Sequence, residues 1–353
     1  MGSILDVLPR EGALFAGRTG ALPLPDGRVL LVSPGSAHVA SAADEPRDNA
    51  IPAPDDSAPV RRPAYLDARP LFAPRPEEAD PVETFQRLWP RRDESDDYVR
   101  QDPYTGGMIR VAQAARAGVA GGEKPVALSF RLAVPLSPRW DSLGEGPAYQ
   151  LRQIVRGMAD AATMLGLPVL AGQLHAGRLD LEAFAHTADA ASFSSTAWPA
   201  PAPRTGDVAA LVGRMADDVS GSLYLDAADS FPPAIDLVVE GRVLEIVQAL
   251  GGGAPLGRGG LLLTLARCCA QARLGARLTL PRAWLSLSRA AVLFGEAQSR
   301  FLVFLPPSRI QELLDKAGSL AVPVEPLGEL GGADLSLDGI INLDVRELQS
   351  WTS

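Results

Sequence analysis

Apolar positions recur at helical spacing in four stretches of the chain. The clearest is 260–274, where Leu261, Leu262, Leu265, Ala266, Cys269 and Ala272 share a face behind the pair Gly259-Gly260. Gly275 is placed to stop that helix in the left-handed conformation. Met108, Val111, Ala112, Ala115 and Val119 form a second stripe over 102–118. Leu151, Ile154, Val155, Met158, Ala162 and Leu165 form a third over 149–165, closed by Gly166. Val243, Leu244, Ile246, Val247 and Leu250 form the fourth, with Asp236 set to cap it and Gly251-Gly252-Gly253 beyond it. Shorter helices are expected near 81–88, at 309–316 behind Pro306-Pro307, and at 345–351.

Compact apolar runs predict strands at 28–33, 124–130, 167–172, 205–213, 276–280 and 301–305. The first is launched from the turn Pro25-Asp26-Gly27, and 320–327 is expected to return as an edge strand. Residues 173–204 read as polar, small and proline-punctuated. Strand and helix alternate, so the fold class is α/β (α+β), with sheets covered by helices. No internal repeat is present.

Composition changes this picture between 41 and 95, where Pro, Ala, Asp, Glu and Arg dominate. Such a segment buries too little apolar surface to offset its ordering entropy, so it reads as an extended, partly disordered arm. Four regions follow: 1–40 with one strand, the arm at 41–95, an α/β domain at 96–204 and a second at 205–353. The 353 residues suffice for one large core or two modest ones. A net charge of −9 argues against nucleic acid and anionic membranes as partners, since both need a basic face. No apolar run approaches the ~20 residues that span a bilayer. The N-terminus lacks the basic start and apolar centre of a signal peptide, and Asp6 stands where myristoylation needs Ser or Thr. A reducing, cytoplasmic location is expected. Cys268 and Cys269 are neighbours on a helix and cannot easily bridge; one is expected in the core and the other half-exposed. With no His nearby they make no zinc site.

The candidate chemistry gathers at the glycine-led helix. A helix N-terminus behind Gly-Gly offers backbone N–H groups and a positive dipole end to an anion, and Arg258 adds charge. The alternative is that Gly259 and Gly260 permit close packing of the helix. Phe-Gly-Glu-Ala-Gln-Ser-Arg at 294–300 either walls a ligand cleft through Glu296, Gln298, Ser299 and Arg300 or turns the chain into 301–305. Asp102, before Pro103 and the pair Gly106-Gly107, is a carboxylate beside a Gly-Gly turn or simply a turn initiator. His175 and His186 are expected to be exposed, and Trp89, Trp140, Trp198 and Trp284 to serve as interface anchors.

The Gly-Gly-led helix joined to the 294–300 motif resembles the C-terminal part of the phosphoribosylformylglycinamidine synthase (FGAM synthase) family. That family is built from aminoimidazole ribonucleotide (AIR) synthetase-like units. The resemblance runs in order from 102 to 351. It includes Asp-Pro-Tyr-Thr-Gly-Gly at 102–107, Gly-Glu-Lys-Pro-Val-Ala-Leu at 122–128, the segments 155–172 and 206–225, and Pro-Pro-Ala-Ile-Asp-Leu at 232–237. It implies a PurM-like two-domain unit. The N-terminal domain would form a half β-barrel that dimerises, with itself or with a related PurM-like chain. It further implies a ribotide or phosphate anion at Arg258, Gly259, Gly260, Glu296, Ser299, Arg300, Asp102, Gly106 and Gly107. ATP or ADP with magnesium would join them if the family activity is retained.

At three family loops the polar chemistry departs. Ser129-Phe-Arg-Leu-Ala-Val stands where the family has Asp-Asn-Leu-Asn-Phe-Gly. Ala254-Pro-Leu-Gly-Arg-Gly-Gly replaces His-Asp-Val-Ser-Asp-Gly-Gly, and Gln173-Leu-His-Ala-Gly-Arg-Leu replaces Asn-Val-Ser-x-Tyr-Asn-Glu. Magnesium needs hard oxygen ligands, and transferring a phosphoryl group needs that metal. Two function classes therefore stand. One is a diverged, non-catalytic paralogue, a pseudoenzyme with a scaffold, assembly or ligand-binding role. The other is an ATP-dependent amidine ligase of purine biosynthesis.

Overall fold

The computed structural model describes residues 20–26, 28–40, 79–91, 97–134, 145–197, 202–225 and 231–350. Most of the arm, together with Trp140 and Trp198, lies outside the described residues. The chain forms two compact units.

The first unit takes in 20–40, 97–118 and the described residues of 124–197. It opens with an antiparallel meander of β1 (Gly20–Pro23), β2 (Val29–Ser33) and β3 (Ser36–Ala40). Asp26 braces the first turn by accepting the N–H of Arg28 at 3.1 Å, and Gly35 takes φ 81° in the second. Next in the chain is α1 (Pro81–Leu88), which belongs to the second unit. The first unit resumes with α2 (Tyr98–Gln101), α3 (Pro103–Ala120), β4 (Pro125–Val134), α4 (Glu145–Met164), β5 (Val169–Ala176), β6 (Asp180–Thr187) and β7 (Ser192–Ser194). The sheet runs β5-β4-β6-β7, parallel only between β4 and β5. Helix α4 packs on β4 and α2 on β6. Helices α3 and α4 approach through glycine: a Cβ on Gly157 would lie 2.0 Å from the Tyr104 carbonyl oxygen.

Two departures from the sequence pattern occur here. Strand β4 runs on to Val134, beyond the expected end at 130, and β6 and β7 lie in the stretch that read as irregular. The two departures are linked, because Phe130↔Ala183, Arg131↔Glu182 and Leu132↔Leu181 pair across the sheet.

In the second unit, β8 (Val208–Val212), α5 (Leu237–Leu250), β9 (Ala254–Pro255), α6 (Gly260–Ala272) and β10 (Ala276–Leu278) are followed by α7 (Arg289–Phe294) and β11 (Phe301–Leu305). Then come α8 (Ile310–Ser319), β12 (Val324–Leu330), β13 (Asp334–Leu337), β14 (Ile341–Asp344) and α9 (Val345–Ser350). The sheet order is β14-β13-β10-β12-β8-β11-β9. Strand β12 is thus interior rather than the expected edge, because it pairs with β10 on one side and β8 on the other; the unanticipated β13–β14 hairpin extends the sheet past β10. Asp236 caps α5 by accepting the N–H groups of Val238 and Val239 at 2.9 and 3.1 Å, as its position implied.

Helix α6 fills the core with Leu261, Leu262, Leu265 and Ala266, in one cluster with Phe85 and Leu88 from α1 and Trp89 just after it. It ends in a left-handed residue at Arg273 rather than Gly275. Gly275 serves close approach instead, since a Cβ there would lie 2.4 Å from the Asp334 carbonyl oxygen. Both Cys268 and Cys269 are buried, not one of them, and burial pushes each thiol up to about 12. Trp89, stacked on Phe85 at 5.2 Å, and Trp284 are also core residues rather than exposed anchors. Among the described residues no helix is long and apolar enough to cross a membrane.

Candidate functional site

Three segments of the second unit meet at the start of α6: 256–259 before the helix, 295–300 before β11, and 213–225 after β8. Glycines set the spacing. A Cβ on Gly260 would lie 2.5 Å from the Gly295 carbonyl oxygen, and one on Gly295 would lie 2.5 Å from that of Asp218. Both Gly259 and Gly260 also hold positive φ, 81° and 68°, which a side chain would strain. The close-packing role of the pair is therefore visible in the backbone itself.

Glu296 enters this junction nearly sealed from solvent, at 2% exposure. Its Oε1 accepts the N–H of Gly259 and the N–H of Leu223, each at 2.8 Å. Its Oε2 receives Nη1 of Arg258 at 2.6 Å, and the same nitrogen donates to the Gly221 carbonyl at 2.9 Å. The Gly260 N–H turns back to the Gly257 carbonyl. The Gly259 and Gly260 N–H groups, expected to face outward, are taken by the Glu296 carboxylate and the Gly257 carbonyl. A carboxylate from the chain lies at the positive end of α6, held by charge-assisted bonds.

The residues after Glu296 form a turn tied by its own side chains. Arg300, 1% exposed, donates to the carbonyls of Ala297 and Gly295 at 2.8 and 2.7 Å and points Nη1 at Met215 Sδ. Ser299 holds φ 59° and donates its hydroxyl to Glu240 Oε2 at 2.5 Å; Glu240, on α5, is itself fully buried. Gln298 donates to the Glu296 carbonyl. Leading the chain into β11 is what these contacts do.

Asp102, Gly106 and Gly107 lie in the first unit. Asp102 follows α2 and precedes α3, accepting the Thr105 N–H at 2.8 Å through its carboxylate and the Gly106 N–H through its carbonyl. Gly106 and Gly107 are inside α3, where Cβ atoms would meet Val99 Cα at 2.4 Å and the Ile154 carbonyl at 2.6 Å. Asp102 initiates a helix, and the two glycines let other backbone come close.

Two of the three segments read as loops are strand. Residues 129–134 continue β4 and 173–176 belong to β5. Phe130 and Leu132 are buried, while Arg131 meets the Pro34 carbonyl at 3.2 Å and Glu182 at 3.7 Å. Phe130, Arg131 and Leu132 offer no carboxylate to magnesium and the one beside them, Glu182, is met by Arg131, so these residues do not fit a metal–nucleotide complex. Among the described residues no group of three or more His, Cys, Asp or Glu is arranged to hold a metal ion.

His186 was expected in solvent and is fully buried on β6. Its Nε2 lies 2.8 Å from Ser129 Oγ and its Nδ1 lies 2.9 Å from Ser192 Oγ. Burial pushes its imidazole down to about 4. No clean alternation over 180–187 marks it as a strand residue, since Phe184 and His186 share a face with Glu182.

The N-terminal domain model of the AIR synthase related proteins matches residues 93–188, and the C-terminal domain model matches 205–338. Phosphoribosylformylglycinamidine synthase subunit PurL of Anaeromyxobacter dehalogenans strain 2CP-C is 30% identical over 280 residues, covering 71% of this chain and 35% of the relative. PurL of Bradyrhizobium sp. strain BTAi1 is 30% identical over 278 residues, covering 72% and 36%. The chain thus spans about a third of the length of these curated relatives. Thermotoga maritima PurL complexed with FGAR superposes with a TM-score of 0.57 at 19% identity, over 72% of this chain and 44% of that one. The two-domain α/β architecture is shared with it.

Proposed function

From its membership of the AIR synthase related family, as a relative of the FGAM synthases, we propose that the chain is a non-catalytic member with a scaffold or assembly role. The observation that carries this reading is the Glu296 carboxylate seated between Arg258, Gly259 N–H and Leu223 N–H. An internal anion there competes with any phosphate for the same donors. The residues singled out for a ribotide or phosphate accordingly serve packing and capping. Residues 96–204 and 205–353 act in this reading as the two domains of one synthetase-like unit, and the first pairs with a second copy or a related chain.

Activity is tested with ATP, magnesium, glutamine and FGAR, following ADP release. No release above a protein-free control is expected. Saturable, FGAR-dependent release that disappears in Asp102→Asn would establish the amidine-ligase reading instead.

A further inference from the structure

The β1–β3 meander is a sheet of its own, packed on β4, β5 and β6 rather than paired into their ladder. Its footing is small. Leu24, Leu30 and Val32 share a core with Ala127 and Ala171, joined by Ala188 and Ala190 from the turn after β6. At the β2–β3 turn the contact is a line of hydrogen bonds. The Gly35 N–H donates to Ser129 Oγ at 3.0 Å, and that oxygen lies 2.8 Å from His186 Nε2. His186 Nδ1 lies 2.9 Å from Ser192 Oγ. Ser129 and His186 are both buried, whereas Ser192 is exposed and can turn its own hydrogen to solvent. The assignment that gives every buried hydrogen an acceptor has the Ser129 hydroxyl donating to Nε2 and Nδ1–H donating to Ser192. It requires a neutral ring.

We propose that Ser129 and His186 form an acid-sensitive latch on the meander: when the ring takes up a proton, the β2–β3 turn lets go of Ser129, and the meander lifts while β4, β5 and β6 stay paired. A protonated ring donates from both nitrogens. Ser129 Oγ must then accept from Nε2 as well as from Gly35, and its own hydrogen loses its buried acceptor. Both ring nitrogens face serines, and neither meets a carboxylate. Glu182, on the same face of β6, accepts the Ser194 hydroxyl at 2.7 Å and lies 3.7 Å from Arg131 of β4. Asp189, in the turn to β7, is exposed and pairs with Arg28 of the meander at 3.4 Å. On β3, His38 is exposed and alternates with Ala37 and Val39, which pack on the core. Asp97 and Arg100 of α2, which contacts β6, pair with each other. Burial alone thus holds the imidazole down to about 4, against 6.5 for a solvated ring. Lifting the meander hydrates the ring, so the open form binds the proton between those values and gains population as pH falls.

Amide hydrogen exchange on the full chain, corrected for the intrinsic rate at each pH, tests the latch. Protection at Gly35 and Leu30 should fall roughly twentyfold from pH 7 to pH 5. It should stay below that of Leu128, whose N–H donates to the Pro168 carbonyl beside β5. Unchanged protection at Gly35 would show that no latch titrates. A fall at Gly35 with Leu30 steady would confine the change to the turn and overturn the release. Equal protection at Leu30 and Leu128 at both pH values would overturn it too, because the meander would then open only with its sheet. His186→Gln should remove the pH dependence at Gly35, while Asp189→Asn should leave it in place. A fall that persists in His186→Gln, or that Asp189→Asn abolishes, would assign the effect to another group and overturn the latch. Should His186→Gln fail to fold, the wild-type comparison of Gly35, Leu30 and Leu128 decides alone.

Discussion

Arg258 and Glu296, 38 positions apart in sequence, meet at 2.6 Å with side-chain exposures of 12% and 1%. The pair closes the N-terminus of α6 from inside the protein, and the same carboxylate fixes Gly259 and Leu223. Breaking a buried pair leaves a desolvated charge and unmet donors, which outweighs the small net gain of most salt bridges.

Glu296→Ala should therefore cost about 3–5 kcal/mol. Glu296→Gln should cost less, because its amide oxygen still accepts one N–H. Urea unfolding with linear extrapolation measures both. A loss below about 1 kcal/mol in the alanine variant would be no more than an ordinary neutral hydrogen bond gives, and would make the carboxylate a bystander.

Gly260→Ala is expected to be severe, since positive φ and a 2.5 Å approach to the Gly295 carbonyl act together. Gly332→Ala provides the contrast: φ is 78°, but nothing lies within 4 Å of the added Cβ. It should lose only the conformational term, roughly 1–2 kcal/mol. Equal unfolding midpoints for the two variants would remove packing from the explanation.

His186 predicts a pH dependence. Its ring titrates near 4 in the folded chain and near 6.5 when unfolded, so the unfolded state binds the extra proton between those values. Stability should then fall as pH drops from 6.5 to 4, by up to about 3 kcal/mol from this group. His186→Gln should flatten that part of the curve relative to wild type. An unchanged slope would mean the ring is not held neutral.

Local pattern made much of the fold legible. Helix α3 is buried all round from Ile109 to Ala120 and its stripe marks only the most apolar side, whereas the stripe at 151–165 was readable because α4 buries one face. Strand β6 was not, because Leu181, Ala183 and Ala185 alternate with Glu182, Phe184 and His186. That second set mixes polar and apolar residues, and Phe184 and His186 are buried on the side where the meander lies. The 294–300 motif was found, but its role depends on Leu223 and Gly259, 73 and 37 positions from Glu296. No local pattern carries contacts of that range. At Gly275 the residue type was right for a helix stop, yet its lack of a side chain is used against Asp334 instead.

The buried thiols of Cys268 and Cys269, both pushed up to about 12, should react with a disulfide reagent at pH 8 only through unfolding. The labelling rate should follow urea concentration as unfolding does. Rapid labelling of one thiol in native buffer would restore the half-exposed cysteine.

The most direct test of the internal-anion reading is thermal unfolding of the wild-type chain with millimolar phosphate and, separately, magnesium ATP. A ligand that binds only the folded state must raise Tm with its concentration. With Glu296 in place, Tm should match a chloride control of equal ionic strength in both titrations. A saturable rise with magnesium ATP that is lost in Arg258→Ala would contradict it, because the donors at α6 would then be open to a phosphate.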